Sequence, residues 1–193
     1  MHIAKLQLWN FRSFASLQPD LEDVLGPCPV EVDLDPATNV FIGRNGAGKS
    51  SLIQALLRLF GDTRDERSVQ PSDFFVPPGQ RLESVSERRL FIEATFHFPE
   101  LAKEGADADQ TVPPTFRHMI VDGVDGAPFA RVRLEATWQL AGTLDGVVEE
   151  TLYWILASEA IAFGDVDPLR NKKVSARDQG QVLVQYSRGS QDI

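Results

Sequence analysis

Alternating apolar and polar positions predict several half-buried β-strands. In the clearest, five apolar residues alternate with five polar ones: Val132, Leu134, Ala136, Trp138 and Leu140 against Arg131, Arg133, Glu135, Thr137 and Gln139. The same period of two recurs at 4–8, 90–98 and 148–156, and in the first of these Ala4, Leu6 and Leu8 share a face. One apolar and one polar face are typical of antiparallel sheets, so we expect residues 90–156 to form an antiparallel meander with one buried and one solvated face.

Two other segments predict a different environment. Val40-Phe41-Ile42 is apolar throughout, as in a strand covered on both faces. From Lys49 to Phe60 apolar residues cover most of a helical surface, which predicts a helix buried against a sheet and ended by Gly61 and Asp62. One buried helix among many strands indicates a mixed α/β fold.

The segment Gly43-Arg44-Asn45-Gly46-Ala47-Gly48-Lys49-Ser50 fits the phosphate-loop pattern G-x-x-x-x-G-K-[ST] at every position. Its glycines let the backbone come close to phosphate oxygens, and successive N–H groups with the following helix N-terminus favour an anion. Lys49 can reach the β- and γ-phosphates, and the Ser50 hydroxyl can bind Mg²⁺. We therefore expect the phosphates of a nucleotide, together with Mg²⁺, to be bound by residues 43–51, which include Ser51; the family resemblance described below implies that the nucleotide is ATP.

Composition narrows the function classes. The net charge of −9 excludes a wholesale polycation for nucleic acid, although it leaves room for a local basic face. The start of the chain lacks the apolar core of a signal peptide, no apolar run reaches the length of a membrane helix, and the lone Cys28 fits a reducing compartment. These features predict a cytoplasmic protein with no membrane partner.

Two phosphate-loop classes fit poorly. GTPases read guanine with the aspartate of Asn-Lys-x-Asp, whereas Asn171-Lys172-Lys173 is followed by Val174, which accepts no hydrogen bond through its side chain. Small-molecule kinases place the phosphate loop on the first strand, whereas here Gly43 follows a long opening segment. Both classes are therefore disfavoured.

The opening segment carries a family resemblance. Asn10-Phe11-Arg12-Ser13-Phe14 resembles the turn after the first strand of RecF, SMC and OLD ATPases, and the loop at 42–52 is similar to that group's Gly-x-Asn-Gly-x-Gly-Lys-Ser form. Gln70-Pro71-Ser72-Asp73-Phe74 is similar to a segment of OLD-family ATP-dependent endonucleases. The resemblance covers residues 1–100 and implies an ABC-type ATPase head.

The resemblance implies roles for individual residues. Lys49 is the expected catalytic residue, Arg12 is a cation near the phosphates or a solvent arginine, and Ser13 lies near the base or sugar or is a turn serine. Arg44 contacts phosphate or points into water. The family's Mg²⁺-sensing glutamine has several candidates in this sequence: Gln70, Gln139, Gln179, Gln181 and Gln185.

The resemblance also implies a domain plan. We expect a single N-terminal ATPase half-domain over 1–193, part of an ABC-type P-loop head with an antiparallel β lobe. Residues 1–70 carry strands, phosphate loop and first helix; 71–165 form the lobe; 166–193 begin the core continuation. In the family, two heads form a dimer around ATP, and the ATP state controls activity on DNA, which implies DNA as a partner of the full-length protein.

Two catalytic elements of that group have no counterpart here. The sequence has no Ser-Gly-Gly signature and no apolar strand ending in Asp-Glu (Walker B); His118-Met119-Ile120-Val121-Asp122 comes nearest, but Gly123 follows and Asp122-Gly123 favours a hairpin turn. The catalytic remainder is then expected elsewhere in a longer protein or on another chain. Two interpretations stay open: an ATP-hydrolysing enzyme, of the OLD type or of a RecF- or SMC-like repair type, or a module that binds nucleotide and dimerises without hydrolysis.

Other chemistry has little support. His2, His97 and His118 lack metal-ligand spacing, Cys28 has no histidine near it in sequence, and the aromatic residues Phe96, Phe98, Trp138 and Trp154 lie on apolar faces, which favours core roles. Five basic residues gather near the end of the chain, either as a DNA contact or as an ordinary exposed loop: Arg170, Lys172, Lys173, Arg177 and Arg188.

Overall fold

A computed structural model describes most of the chain up to residue 174. The described residues are 1–17, 27–102, 112, 114–123, 126–140, 146–161, 163–164 and 171–174. Gln179, Gln181, Gln185, Arg170, Arg177 and Arg188 lie outside them, as does almost all of the segment 166–193. The strands are β1 His2–Trp9, β2 Val30–Asp33, β3 Glu87–His97, β4 Val121–Asp122, β5 Pro128–Gln139, β6 Val147–Ile155 and β7 Asn171–Lys173; the α-helices are α1 Lys49–Phe60, α2 Arg64–Arg67 and α3 Pro114–Arg117.

One antiparallel sheet contains all the described strands. Its order is β2-β1-β3-β5-β6-β7, with β4 paired to β5. The central pairing is long: β3 and β5 run in continuous register from Glu87 opposite Gln139 to His97 opposite Phe129. The predicted meander over 90–156 is confirmed, and so is the mixed α/β class. Because β1 pairs with β3, the opening strand belongs to the same sheet as the predicted β lobe.

The apolar face of this sheet packs against α1 and the loops around it. Leu52, Ala55 and Leu59 of the helix are buried with the inward residues of β1, β3, β5 and β6. Trp138, Trp154 and Phe96 are fully buried and Phe98 is 1% exposed, so these aromatics are core residues as predicted. Helix α1 begins at Lys49 and ends at Phe60, as the sequence pattern indicates, and none of the described helices has the length and apolarity needed to cross a bilayer.

The start of β1 departs from simple alternation. A register shift between Ile3 and Lys5 places Ile3, at 5% exposure, in the core with Leu6 and Leu8. Ala4 is only half-buried and faces the opposite side. The prediction that Ala4 shares the buried face was wrong because a bulge adds one residue to the period of two.

The centre of the second face of the sheet is buried, contrary to the sequence prediction, whereas polar side chains toward its edge, such as Glu31, are exposed. Glu93, Arg131, Arg133 and Glu135 are buried at the centre, at exposures of 1%, 7%, 2% and 7%. Glu93 Oε1 accepts from Arg131 Nη1 at 3.2 Å, Glu93 Oε2 accepts from Arg133 Nε at 2.6 Å, and Arg133 Nη1 donates to Glu135 Oε1 at 3.4 Å. The predicted strand is confirmed, but polar side chains can be buried when they pair with each other.

A segment after β6 covers this charged cluster. Arg131 donates to the carbonyl oxygens of Ala157 and Glu159, and Arg133 donates to that of Ile161 at 2.8 Å. The Arg133 guanidinium also lies 4.3 Å from the centre of the Phe91 ring. The two arginines thus donate hydrogen bonds both to carboxylates of the sheet and to backbone carbonyl groups of the covering segment. These carbonyl groups follow the end of β6, and the hydrogen bonds from the arginines satisfy them there.

Burial of Glu135 predicts a pH effect on stability. Burial raises the pKa of Glu135 from its ordinary 4.5. A carboxyl with a raised folded-state pKa binds its proton more tightly in the folded chain than in the unfolded chain. Its contribution to the free energy of unfolding is therefore fully present below pH 4.5 and is lost as the pH rises through the raised pKa. Glu135→Gln should remove this dependence. Urea unfolding of both proteins over a pH series checks it; a pH-independent difference in the free energy of unfolding would contradict it.

Residues 40–42 differ most from the prediction. Val40, Phe41 and Ile42 form no strand and are 74%, 37% and 91% exposed. Ile53 of α1 is also 48% exposed. The prediction of a strand covered on both faces was wrong for this structure, because none of the described strands pairs with the segment or packs over it.

Candidate functional site: a phosphate cradle

Backbone geometry bends residues 43–48 into a compact loop directly before α1. Gly46 has φ +84° and Gly48 has φ +90°, conformations that side chains strongly disfavour, and the Ala47 N–H donates to Arg44 O at 3.2 Å. Leu52 N donates to Gly48 O at 2.9 Å, which is the first hydrogen bond of the helix. The predicted glycine-rich loop therefore leads straight into a helix N-terminus.

Among the described residues, no side chain caps the N-terminus of α1. The N-cap is Gly48, which supplies no side-chain hydrogen bond, and the first turn holds no acidic residue. The amides of Lys49, Ser50 and Ser51 precede the first helical bond, so they have no acceptor within the helix. Free donors and the positive end of the helix dipole together suit an anion.

Lys49 lies back over its own loop. Its Nζ donates to Gly43 O at 2.7 Å and to Arg44 O at 2.9 Å. These carbonyl oxygens are weak acceptors for an ammonium group compared with the oxygens of a phosphate. The side chain is thus placed at the mouth of the loop with contacts that an anionic ligand can replace.

The loop borders a cleft of about 380 Å³. Ser13 from the turn after β1 forms part of its wall, and the rest comes from the loop and helix: Asn45, Gly46, Ala47, Gly48, Lys49, Ser50 and Ser51. Ser50 is exposed, which leaves its hydroxyl available as a metal ligand. Gly43 and Arg44 are exposed and do not line the cleft.

The turn after β1 lies directly against the loop. Ser13 Oγ donates to Ser51 Oγ at 2.9 Å. A Cβ atom added to Gly48 would lie 2.9 Å from Cζ of Phe14, so the glycine permits this close approach as well as its positive φ. The two motifs that the sequence places far apart are therefore neighbours in the fold.

Arg12 borders an adjoining cleft of about 540 Å³ that shares Ser13 and Ser51 with the first. Its φ is +51°, its N–H donates to Asp73 O at 2.7 Å, and its Nη1 donates to Asp73 Oδ1 at 3.1 Å. Asp73 is fully buried. No local sequence pattern predicts this role for Asp73, because its partner Arg12 is 61 positions away.

The other sequence candidates do not line the cleft beside the loop. Gln70 is exposed and is the residue before the 3₁₀ turn Pro71–Asp73, while Gln139 ends β5 and donates to Glu87. Val121 and Asp122 form β4, and the N–H of Gly123 donates to Ala127 O, so the predicted hairpin after Asp122 is confirmed.

Gly48→Ala tests the close packing at the loop. The new Cβ would require both a positive φ and a displacement of Phe14, so we expect a loss of about 1–3 kcal/mol of stability and weaker nucleotide binding. Gly46→Ala is the matched control, since it has a similar φ but no neighbour within 4 Å of its Cβ. Thermal unfolding should show the larger loss for Gly48→Ala; equal losses would contradict the role of the Phe14 contact.

Known proteins resemble the first part of this chain. The profile of a family described as "AAA ATPase domain" matches residues 1–110. Two curated relatives are DNA replication and repair proteins RecF: that of Colwellia psychrerythraea is 42% identical over 59 residues (31% of this chain, 12% of the relative), and that of Mesorhizobium japonicum is 29% identical over 125 residues (65% and 21%). The chain thus spans only a small part of the length of these relatives.

A solved structure from work on ATP-driven dimerization and DNA-stimulated activation of SMC ATPases aligns with a TM-score of 0.47 and 14% identity, over 95% of this chain and 78% of the other. The sequence matches confirm the resemblance to the RecF-like group of P-loop ATPases, while the OLD branch remains a prediction. With more than half of its length matched by the family profile, the chain belongs to the AAA ATPase domain family.

Proposed function

We propose that this chain binds ATP with Mg²⁺ and forms the N-terminal part of an ABC-type ATPase head. The observation that supports this most strongly is the uncapped N-terminus of α1 behind a loop with two positive-φ glycines. Backbone donors that converge in this way bind phosphate regardless of the base attached. ATP is the nucleotide that the family assignment supports.

The residues present fit both parts of the cofactor. Lys49 would move from the Gly43 and Arg44 carbonyls to the phosphates, where a charge-assisted hydrogen bond is stronger. The exposed Ser50 hydroxyl would be a ligand of Mg²⁺, which supplies charge neutralisation at the phosphates when bound. Arg12 and Ser13 border the same region from the turn after β1.

This chain holds only part of a hydrolytic site. No apolar strand of the sequence ends in Asp-Glu, and its one Asp-Glu pair, Asp65-Glu66, lies in the short helix α2. The exposed apolar side chains at Val40, Ile42 and Ile53 lie close in sequence to the loop and are suited to contact with further polypeptide. We propose that such polypeptide, from the same protein or another chain, supplies the water-orienting and Mg²⁺-binding acids.

Two functions of the full-length protein follow from this proposal. The resemblance at Gln70–Phe74 favours a head that controls an OLD-like DNA endonuclease. The RecF relatives favour a DNA-repair ATPase. Both proposed functions involve dimerisation of two heads around ATP and contact with DNA. A nuclease segment downstream would support the first, and a long coiled coil would support an SMC-like variant of the second.

One experiment separates hydrolysis from binding alone. Phosphate release and molar mass by light scattering are measured on this chain with and without Mg-ATP, with Lys49→Ala as the control. We expect nucleotide-dependent association without turnover in the wild type and neither in the variant. Phosphate release that Lys49→Ala abolishes would show that these 193 residues hydrolyse ATP on their own and would overturn the proposed division of the site.

A further inference from the structure

Asp73 joins three separate elements through one buried carboxylate. Its Oδ1 accepts from Arg12 Nη1 at 3.1 Å, and its Oδ2 accepts from Arg58 Nε at 2.6 Å and from the Gln70 N–H at 2.9 Å. The side chain of Asp73 is 0% exposed, against 9% for Arg58 and 32% for Arg12. The carboxylate therefore links the turn after β1, helix α1 and the loop after α2.

The two arginines around Asp73 have different surroundings. Arg58 lies in the interior, where its Nη1 also donates to Glu66 O at 2.5 Å. Arg12 borders the cleft that shares Ser13 and Ser51 with the phosphate cradle, and among the described residues its side chain bonds only to Asp73. Two cations around one carboxylate leave an excess positive charge, and the exposed part of it lies at the cleft.

Backbone contacts hold this arrangement rigidly. The Arg12 N–H donates to Asp73 O, and the Phe75 N–H donates to Asn10 O at 2.8 Å, so the segment 73–75 is bonded along the turn after β1. Arg12 itself has φ +51°, a conformation that costs free energy unless its surroundings enforce it. The fold thus fixes both the backbone and the side chain of Arg12.

We propose that Asp73 is a positioning residue of the nucleotide site. It holds one edge of the Arg12 guanidinium in the interior, so that the remaining N–H groups face the cleft and bind an anionic group of the nucleotide. A free arginine would lose side-chain entropy on binding, whereas Arg12 is already ordered. This inference rests on the proposed ATP-binding function.

The test compares three variants of the chain by fluorescent-ATP affinity and thermal unfolding. We expect Asp73→Asn and Arg12→Ala each to weaken ATP binding about tenfold, and the double variant to bind no more weakly than Arg12→Ala alone. Arg58→Met is the matched control, because it removes the other ion pair of Asp73, which lies in the interior and not at the cleft. It should lower the unfolding temperature and change ATP affinity less than twofold.

A merely structural role for Asp73 gives a different result. Asp73→Asn would then behave like Arg58→Met, with a lower unfolding temperature and unchanged affinity, and the proposal would be wrong. If Asp73→Asn does not fold, Arg12→Lys decides, because it keeps the positive charge but lacks the planar guanidinium fork. A loss of ATP affinity close to that of Arg12→Ala would support the proposal. Unchanged ATP affinity would overturn it. Absence of ATP binding by the wild type would instead refute the proposed function itself.

Discussion

Glu93→Gln should lower the free energy of unfolding by about 3–5 kcal/mol. Glu93 is the carboxylate shared by Arg131 and Arg133, and its side chain is 0% exposed while theirs are 8% and 3% exposed. Removing its charge leaves two buried guanidinium groups with Glu135 as the remaining carboxylate of the cluster. The covering segment should loosen as well, since both arginines hold its carbonyl groups.

Glu31→Gln is the matched control for this prediction. Glu31 is also a strand glutamate with two side-chain partners, Lys5 at 2.8 Å and Gln7 at 2.6 Å, but its side chain is 48% exposed. Exposed ion pairs contribute at most about 1 kcal/mol. Urea unfolding at one pH compares the two variants. A Glu93→Gln chain as stable as the Glu31→Gln chain would show that the buried cluster does not support the sheet.

Lys49→Ala should weaken ATP binding by about 100-fold or more, equivalent to about 2.7 kcal/mol. The ammonium group is the one charge that the loop places at its mouth, and hydrogen bonds from a charged donor to phosphate are about twice as strong as neutral ones. The unfolding temperature should hardly change, because the bonds of Lys49 Nζ go to carbonyls of its own exposed loop.

Lys5→Ala controls for the loss of a positive charge. Lys5 lies on β1, pairs with Glu31, and does not line the cleft beside the loop. Its replacement should leave ATP affinity within about twofold of the wild type, since Lys5 does not line the cleft and its exposed charge is already paired with Glu31. Equal losses in the two variants would mean that only net charge matters, and would refute the role of Lys49.

Local sequence signals predicted most of the described fold and the glycine-rich loop at the centre of the candidate site. Helix α1 was bounded correctly because the phosphate-loop glycine precedes it and Gly61 follows it. The strands β3, β5 and β6 follow from a period of two that requires no knowledge of their partners. The loop is predictable because its backbone conformation depends on glycines at fixed positions.

The remaining features depend on contacts between distant residues. Glu93 and Arg133 are 40 positions apart, and Arg12 and Asp73 are 61 apart, so no local pattern shows that these charges are paired and buried. The bulge in β1 depends on its pairing with β3. The exposure of Val40, Phe41 and Ile42 has the same origin, since covering a strand on both faces requires neighbours that its own residues do not specify.

An amide NMR titration tests the phosphate cradle most directly. Isotope-labelled chain is titrated with Mg-ATP, and shift changes are mapped on the backbone amides. We predict saturable changes centred on Gly46, Gly48, Lys49, Ser50 and Ser51, with smaller changes at Ser13. If millimolar Mg-ATP leaves the chemical shifts of these amides unchanged, or changes only those of amides elsewhere in the chain, the assignment of residues 43–51 as the nucleotide site is contradicted.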